Sequence, residues 1–125
     1  MLEGILEPFP DRDLEVLVVW IAMMGGDTSE AARTAATKFN DKRVQQFYDP
    51  QKAAGKAFAR SLGHDGCVAW DFYLFYAPRS EWGQLLPQPE VYMHQLRSGW
   101  ADWSRLFEKD KLTEKLAETM RSLFP

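Results

Sequence analysis

The first apolar run of the chain predicts a strand followed by a helix. Residues 14–21 are almost continuously apolar and rich in β-branched side chains, which is typical of a strand buried on both faces. Gly25-Gly26 ends this strand. Asp27, with Glu30 three residues later, forms a capping-box pattern for a helix that begins at Thr28.

The pattern then repeats. Residues 43–48 predict a short second strand, and Asp49 with Pro50 predicts the start of a second helix, which Gly63 ends. Residues 68–77 have apolar side chains on both faces of an extended chain, which predicts a long third strand. Asp71 is the one charge in that run. It is interpreted either as a hydrogen-bonded structural residue or as part of a functional site.

The last third of the chain is predicted to be mainly helical. Residues 82–86 predict a short strand that either pairs with the third strand or forms an edge of the sheet. Beyond Pro89, five apolar residues recur at intervals of three and four, which predicts one helix face: Met93, Leu96, Trp100, Trp103 and Phe107. His94 lies outside this face and is predicted to be a surface residue. A final helix is predicted from Asp110, with Leu112, Leu116, Met120 and Leu123 on its inner face. Residues 1–13, with two prolines, are predicted to be an extended segment.

This order of elements resembles that of the thioredoxin-like superfamily, from about Leu14 to Phe124. The best local match is residues 16–22, which are similar to the thioredoxin strand that leads into the active-site helix. The resemblance implies an α/β fold with a central mixed β-sheet flanked by helices, in a single domain over residues 1–125. It implies a divergent member, because the family's Cys-x-x-Cys is replaced here by Met23-Met24-Gly25-Gly26-Asp27. Dithiol–disulfide exchange has no nucleophile at that position.

Composition and charge narrow the classes of partner. The 125 residues are 46% hydrophobic and 26% charged, as in ordinary globular domains. The net charge is −3 and no basic stripe is present, so a nucleic-acid partner is not expected. The longest apolar run, residues 16–24, is shorter than the roughly 20 residues that span a bilayer, so a membrane partner is not expected. One cysteine excludes an internal disulfide, and the N-terminus lacks a signal-peptide pattern, so a cytoplasmic location is expected.

The resemblance also implies a candidate functional surface. In a thioredoxin-like sheet, the end of the first strand and the start of the third meet at one edge. That edge would gather six residues: Met23, Met24, Asp27, His64, Cys67 and Trp70. Two thioethers, an imidazole and a thiol are ligands that suit copper(I). Alternatively, the methionines fill core gaps and Cys67 packs as a small hydrophobe.

Three functions stay open at this point. The first is a redox-inactive binding or interaction module without catalytic residues, cofactor or metal, which takes a protein partner or a small ligand. The second is a single-thiol oxidoreductase or peroxidase-type enzyme, or a soft-metal binder, centred on Cys67 and His64. In the enzyme, His64 or a helix N-terminus would activate the Cys67 thiol by lowering its pKa. The third is a self-associating structural subunit, such as a homodimer, that uses the stripe from Met93 to Phe107.

Overall fold

The computed structural model describes residues 3–124, which form helices and short strands. The elements follow one another as α1 (Glu3–Leu6), β1 (Val16–Ile21), α2 (Ser29–Ala36), β2 (Val44–Asp49), α3 (Ala53–Ser61), β3 (Phe72–Phe75), β4 (Val91–His94), a 3₁₀ helix (Trp103–Arg105) and α4 (Lys109–Leu123). The predicted mixture of helix and strand is therefore confirmed. None of these helices has the length and apolar character needed to cross a membrane.

The strands of the described residues form two separate two-stranded sheets. β1 pairs with β2 in parallel, and β3 pairs with β4 in antiparallel fashion. Contacts along the chain divide it into two compact units, one made of residues 13–70 and the other of residues 3–12 and 71–124. Each unit has its own sheet.

The unit of residues 13–70 is a β-α-β-α arrangement. Its two strands pair in register from Val16 opposite Val44 to Ile21 opposite Asp49. Parallel strands need a crossover connection, and α2 is that crossover. Helix α2 begins one residue later than predicted, because its N-cap is Thr28, whose Oγ1 accepts the N–H of Ala31 at 3.1 Å. The predicted capping box at Asp27 is wrong.

Asp49 connects the end of β2 to the start of α3, as the sequence predicts. Its carboxylate accepts the N–H groups of Ala53 and Ala54 at 2.8 and 2.9 Å and that of Gly55 at 3.3 Å. Helix α3 itself begins three residues beyond Pro50, after Lys52 in the left-handed conformation (φ 61°). At the other end Gly63 has φ 90°, which is the conformation expected of a glycine that ends a helix.

The unit of residues 3–12 and 71–124 packs helices α1 and α4 against each other beside the β3–β4 pair. Its core contains apolar side chains from α1, β4, α4 and the segments that adjoin them: Ile5, Leu6, Phe9, Met93, Leu96, Ala101, Leu112, Leu116 and Met120. Leu112, Leu116 and Met120 are three of the residues predicted to line the inner face of the last helix. Residues 1–13 were expected to be extended, and residues 3–6 of that segment form α1 instead.

The helix predicted over residues 93–107 is wrong. Residues 91–94 form strand β4, and only residues 103–105 of the remainder form a short 3₁₀ helix. Val91 and Tyr92 favour a strand, and β3 supplies the hydrogen-bonding partner that makes this strand possible. His94, predicted on the surface, has no exposed area at all.

The third strand is shorter than predicted and has a different partner. It covers residues 72–75 and pairs with β4, whereas residues 82–86 form no strand. Asp71 marks its start with a left-handed conformation (φ 57°), which is incompatible with a continuous strand through residues 68–77. Its side chain is exposed, and its carbonyl oxygen accepts the N–H of Gln95 at 3.0 Å.

Candidate functional site

The loop that follows β1 is closed by the side chain of Asp27. One carboxylate oxygen, Oδ2, accepts the backbone N–H groups of Met23 at 3.0 Å and Met24 at 2.7 Å. The backbone N–H of Asp27 donates in turn to the carbonyl of Met24 at 2.9 Å, and its own carbonyl accepts the hydroxyl of Tyr48 at 3.0 Å. The loop is therefore tied both to itself and to the end of β2. It leaves 64% of Met24 exposed.

A shallow cleft of about 200 Å³ lies beside this loop, between α2 and the two strands of the unit. Its lining is mostly apolar and consists of Trp20, Ile21, Asp27, Thr28, Ala31, Ala32, Ala35 and Tyr48. Trp20 and Tyr48 stand opposite each other in the register of β1 and β2. The alanines of α2 leave the space that larger side chains would fill.

The polar atoms around the cleft are engaged in hydrogen bonds within the protein. Trp20 Nε1 donates to Gln46 Oε1 at 3.0 Å, and the Tyr48 hydroxyl donates to the carbonyl of Asp27. Thr28 Oγ1 caps α2. Since these groups already have partners, the cleft offers mainly apolar contact to a ligand.

His64 and Cys67 lie on the turn that follows α3. His64 donates its backbone N–H to the carbonyl of Ala59 at 2.9 Å, and Cys67 donates its own to the carbonyl of His64 at 3.2 Å. Gly63 and Gly66 have positive φ angles of 90° and 89°, which produce the tight path of this segment. Cys67 is half-buried and its thiol is free of any disulfide.

The structure therefore joins five of the six predicted residues into two groups. Met23, Met24 and Asp27 share one hydrogen-bonded loop, and His64 shares a turn with Cys67. Trp70 belongs to neither group; it is half-buried and is the last residue of the unit of residues 13–70. The prediction that both groups meet at one sheet edge required the third strand to join the first two. Since β3 begins only at Phe72 and pairs with β4, it does not form the shared sheet edge that this prediction required. Across residues 3–124, no group of three or more His, Cys, Asp or Glu side chains is placed to hold a metal ion.

The cleft residues Trp20 and Tyr48 were missing from the candidate set. Each stands near the carboxyl end of its strand, and the parallel register brings the two together. The sequence does have an aromatic residue near the end of each of the two predicted parallel strands. Pairing these residues, however, requires the register of the strands, which the sequence does not give.

A second cluster of aromatic residues lies around β3 and β4. The Phe72 ring stacks on three others, those of His94 at 4.8 Å, Trp100 at 5.5 Å and Tyr92 at 6.1 Å between centroids. The Arg105 guanidinium lies 4.0 Å from the centroid of Tyr92. These contacts show that Trp100, one residue of the stripe predicted to mediate self-association, is packed within its own unit. Trp82 and Trp103 remain about half exposed.

Comparison with known proteins adds no relatives to this picture. No family model matches the chain, and neither a curated protein nor a solved structure matches it.

Proposed function

We propose that this chain is a redox-inactive binding or interaction module, and that its binding surface consists of the Asp27 loop (residues 23–27) and the adjoining cleft. The observation that carries this proposal is the use of the Asp27 carboxylate to hold the amides of Met23 and Met24. At the position where a thioredoxin has its reactive dithiol, this chain has a closed loop with an exposed thioether. An apolar surface whose loop is held by hydrogen bonds suits recognition better than electron transfer.

A divergent thioredoxin-like fold is part of the same proposal. Its support is the succession of a parallel β-α-β unit, a second helix, an antiparallel strand pair and a last helix. The two strand pairs belong to separate sheets among the described residues, so a common central sheet is proposed on the order of elements alone. A reducing, cytoplasmic compartment is proposed on the single cysteine of the chain.

Binding in the cleft can be tested with indole as an apolar probe. We expect indole to shift the backbone amide signals of Ala31 and Ala32 in nuclear magnetic resonance spectra, because both residues line the cleft. Ala35→Phe fills the cleft and should abolish these shifts. Arg33→Phe adds the same ring at an exposed position of α2 outside the cleft lining, and should leave them unchanged. Shifts that persist in Ala35→Phe, or none in the unmodified protein, would count against this surface.

The redox-inactive part of the proposal has its own test. Disulfide reductase and peroxidase activity should both be at background. Turnover that disappears in Cys67→Ser would establish the single-thiol enzyme instead. The rate at which Cys67 reacts with a thiol probe, with and without copper(I), separates the remaining alternatives. A fast, copper-protected thiol would indicate a soft-metal site, and a slow one a packed cysteine.

Self-association is a separate proposal. The sequence based it on a helical stripe from Met93 to Phe107, and these residues do not form one helix. Met93 is buried in β4, so it does not belong to an exposed helical stripe. Trp103, with 55% of its surface exposed, is the residue of that set which remains available for contact. Light scattering at high protein concentration would decide the point, since a clean monomer would exclude a stable homodimer.

A further inference from the structure

The histidine at the end of β4 is held in a single protonation state by its hydrogen bonds. His94 has no exposed surface. The backbone N–H of Leu96 donates to its Nδ1 at 3.1 Å, and its Nε2 lies 2.8 Å from the carbonyl oxygen of Asp102. An amide N–H can only donate and a carbonyl can only accept, so Nδ1 carries no proton and Nε2 carries one. The imidazole is therefore the neutral Nε2–H tautomer.

His94 also fastens both ends of the segment that follows it. Its ring binds Leu96 and Asp102, while its own carbonyl accepts the N–H of Phe107 at 3.0 Å. The ring stacks on Phe72 at 4.8 Å, which holds it in position. Residues 95–107 thus form a loop whose beginning, middle and end are all attached to one residue.

We propose that His94 is a pH-sensitive clasp whose protonation releases residues 95–107 from β4. A second proton on Nδ1 would point one N–H group at another, that of Leu96, so that hydrogen bond is lost. The added charge would also be placed where no water reaches it, which is costly unless a counter-charge is present. Opening of the loop removes both penalties.

Several other charged and titratable groups lie around the clasp. They come from the start of β3, from β4 and from the loop itself: Asp71, Tyr73, Tyr92, Arg97, Asp102, Arg105 and Glu108. Hydrogen bonds from Ser104 lower the pKa of Asp102, and those from Arg97 lower the pKa of Glu108, so both carboxylates stay ionised. Burial, assisted by the charge of Asp71, raises the pKa of Tyr73 to about 12, so this tyrosine stays neutral.

The carboxylates of the loop are directed to other partners. Asp102 binds the backbone and side chain of Ser104, and its Oδ2 lies 3.4 Å from Arg105 Nε. Glu108 forms a two-point ion pair with Arg97 at 2.8 and 2.9 Å. A carboxylate of the loop could therefore pair with a charged imidazole only by giving up its existing partner.

Amide hydrogen exchange of Leu96 and Phe107 measures the clasp directly. An exposed histidine has a pKa of about 6.5, so at about pH 5.5 roughly ten of eleven open loops bind the extra proton. By linkage, the opening equilibrium should rise about tenfold between about pH 7.5 and about pH 5.5. After correction for intrinsic exchange rates, we expect the protection factors of both amides to fall by that amount.

Two variants identify the responsible group. Glutamine at this position has a donor and an acceptor but does not titrate, so His94→Gln should make the protection of Leu96 and Phe107 independent of pH. His64→Gln, which removes the chain's other histidine, should leave the tenfold fall unchanged. A fall that persists in His94→Gln or vanishes in His64→Gln would overturn the proposal, as would constant protection in the unmodified protein.

A spectroscopic measurement on the unmodified protein covers the case in which His94→Gln does not fold. The ¹⁵N chemical shifts of the His94 ring should show a protonated Nε2 and an unprotonated Nδ1 near neutral pH. The opposite tautomer, or a doubly protonated ring with Leu96 still protected, would also overturn the clasp.

Discussion

Replacing Gly55 by alanine tests how closely α3 packs in the unit of residues 13–70. A Cβ atom at this position would lie 2.6 Å from Val68 Cγ1, and 3.1 Å from both the Ala69 carbonyl oxygen and Ile21 Cδ1. The first distance is well below van der Waals contact, and the other two are tight. Gly55 therefore marks a close approach between α3, β1 and the segment that follows the helix.

Two opposing effects determine the size of the change. Alanine is favoured over glycine inside a helix by about 1 kcal/mol. Overpacking a filled site costs about 1–3 kcal/mol, and here the neighbours have little freedom to retreat. The N–H of Ala69 donates to the carbonyl of Gly55 at 2.9 Å, which ties that backbone to the helix, and Val68 is stiff because it is β-branched. We expect Gly55→Ala to lower the free energy of unfolding by about 1 kcal/mol, the difference between a mid-range overpacking cost and the helix preference.

Urea unfolding followed by circular dichroism gives the net effect, and a double-mutant cycle isolates the contact. Val68→Ala removes the Cγ1 atom at 2.6 Å. In the Val68→Ala background, Gly55→Ala should therefore lower the free energy of unfolding by about 1 kcal/mol less than it does in the unmodified protein. Ala57→Gly, at an exposed position of the same helix, measures the helix preference without the contact. A stabilising Gly55→Ala, or a cycle in which the two changes simply add, would refute the close approach.

Three further predictions concern charge and capping. Asp49→Ala should lower the free energy of unfolding by about 2 kcal/mol in urea titrations, because three amides of α3 lose their acceptor, and Asp49→Asn should recover part of it. Hydrogen bonds from Arg43 lower the pKa of Asp41 from 3.8 to about 2, so Arg43→Gln should raise it in a carboxyl ¹³C titration. The stability that this pair contributes is present above the ordinary pKa and is lost as the pH falls towards about 2. Burial raises the pKa of Tyr73 and Tyr76 to about 12, so absorbance at alkaline pH should show a late step that Tyr76→Phe reduces. Their contribution to stability is present below about pH 10 and is lost as the pH rises through about 12.

Local signals predicted several elements well because their physical causes lie within a few residues. The apolar run at residues 14–21 formed a strand over residues 16–21. The Asp49 carboxylate did bind the first amides of the following helix, although Lys52, three residues later, is the N-cap. Gly63 ended α3 through a positive φ angle, which few other residues adopt. Leu112, Leu116 and Met120 lie on one face of α4 and are buried together.

The candidate site was predicted only in part. Asp27 was expected to cap a helix, but its carboxylate closes the preceding loop on Met23 and Met24. An aspartate side chain can accept hydrogen bonds from the backbone amides before it or from those after it, and both sets of amides are available around Asp27. The link between this loop and Cys67 depended on a strand order that pairing between distant segments determines.

By itself the sequence determined the order β1, α2, β2 and α3, the part of Asp49 in starting α3, the stop at Gly63, and the absence of a dithiol before α2. Tertiary structure decided the rest. Residues 93–107 have helical spacing, but β3 offers Val91 to His94 a ladder of hydrogen bonds, which a local pattern cannot reveal. Only the fold buries His94 and sets Trp20 opposite Tyr48, because burial and register depend on segments that are far apart along the chain.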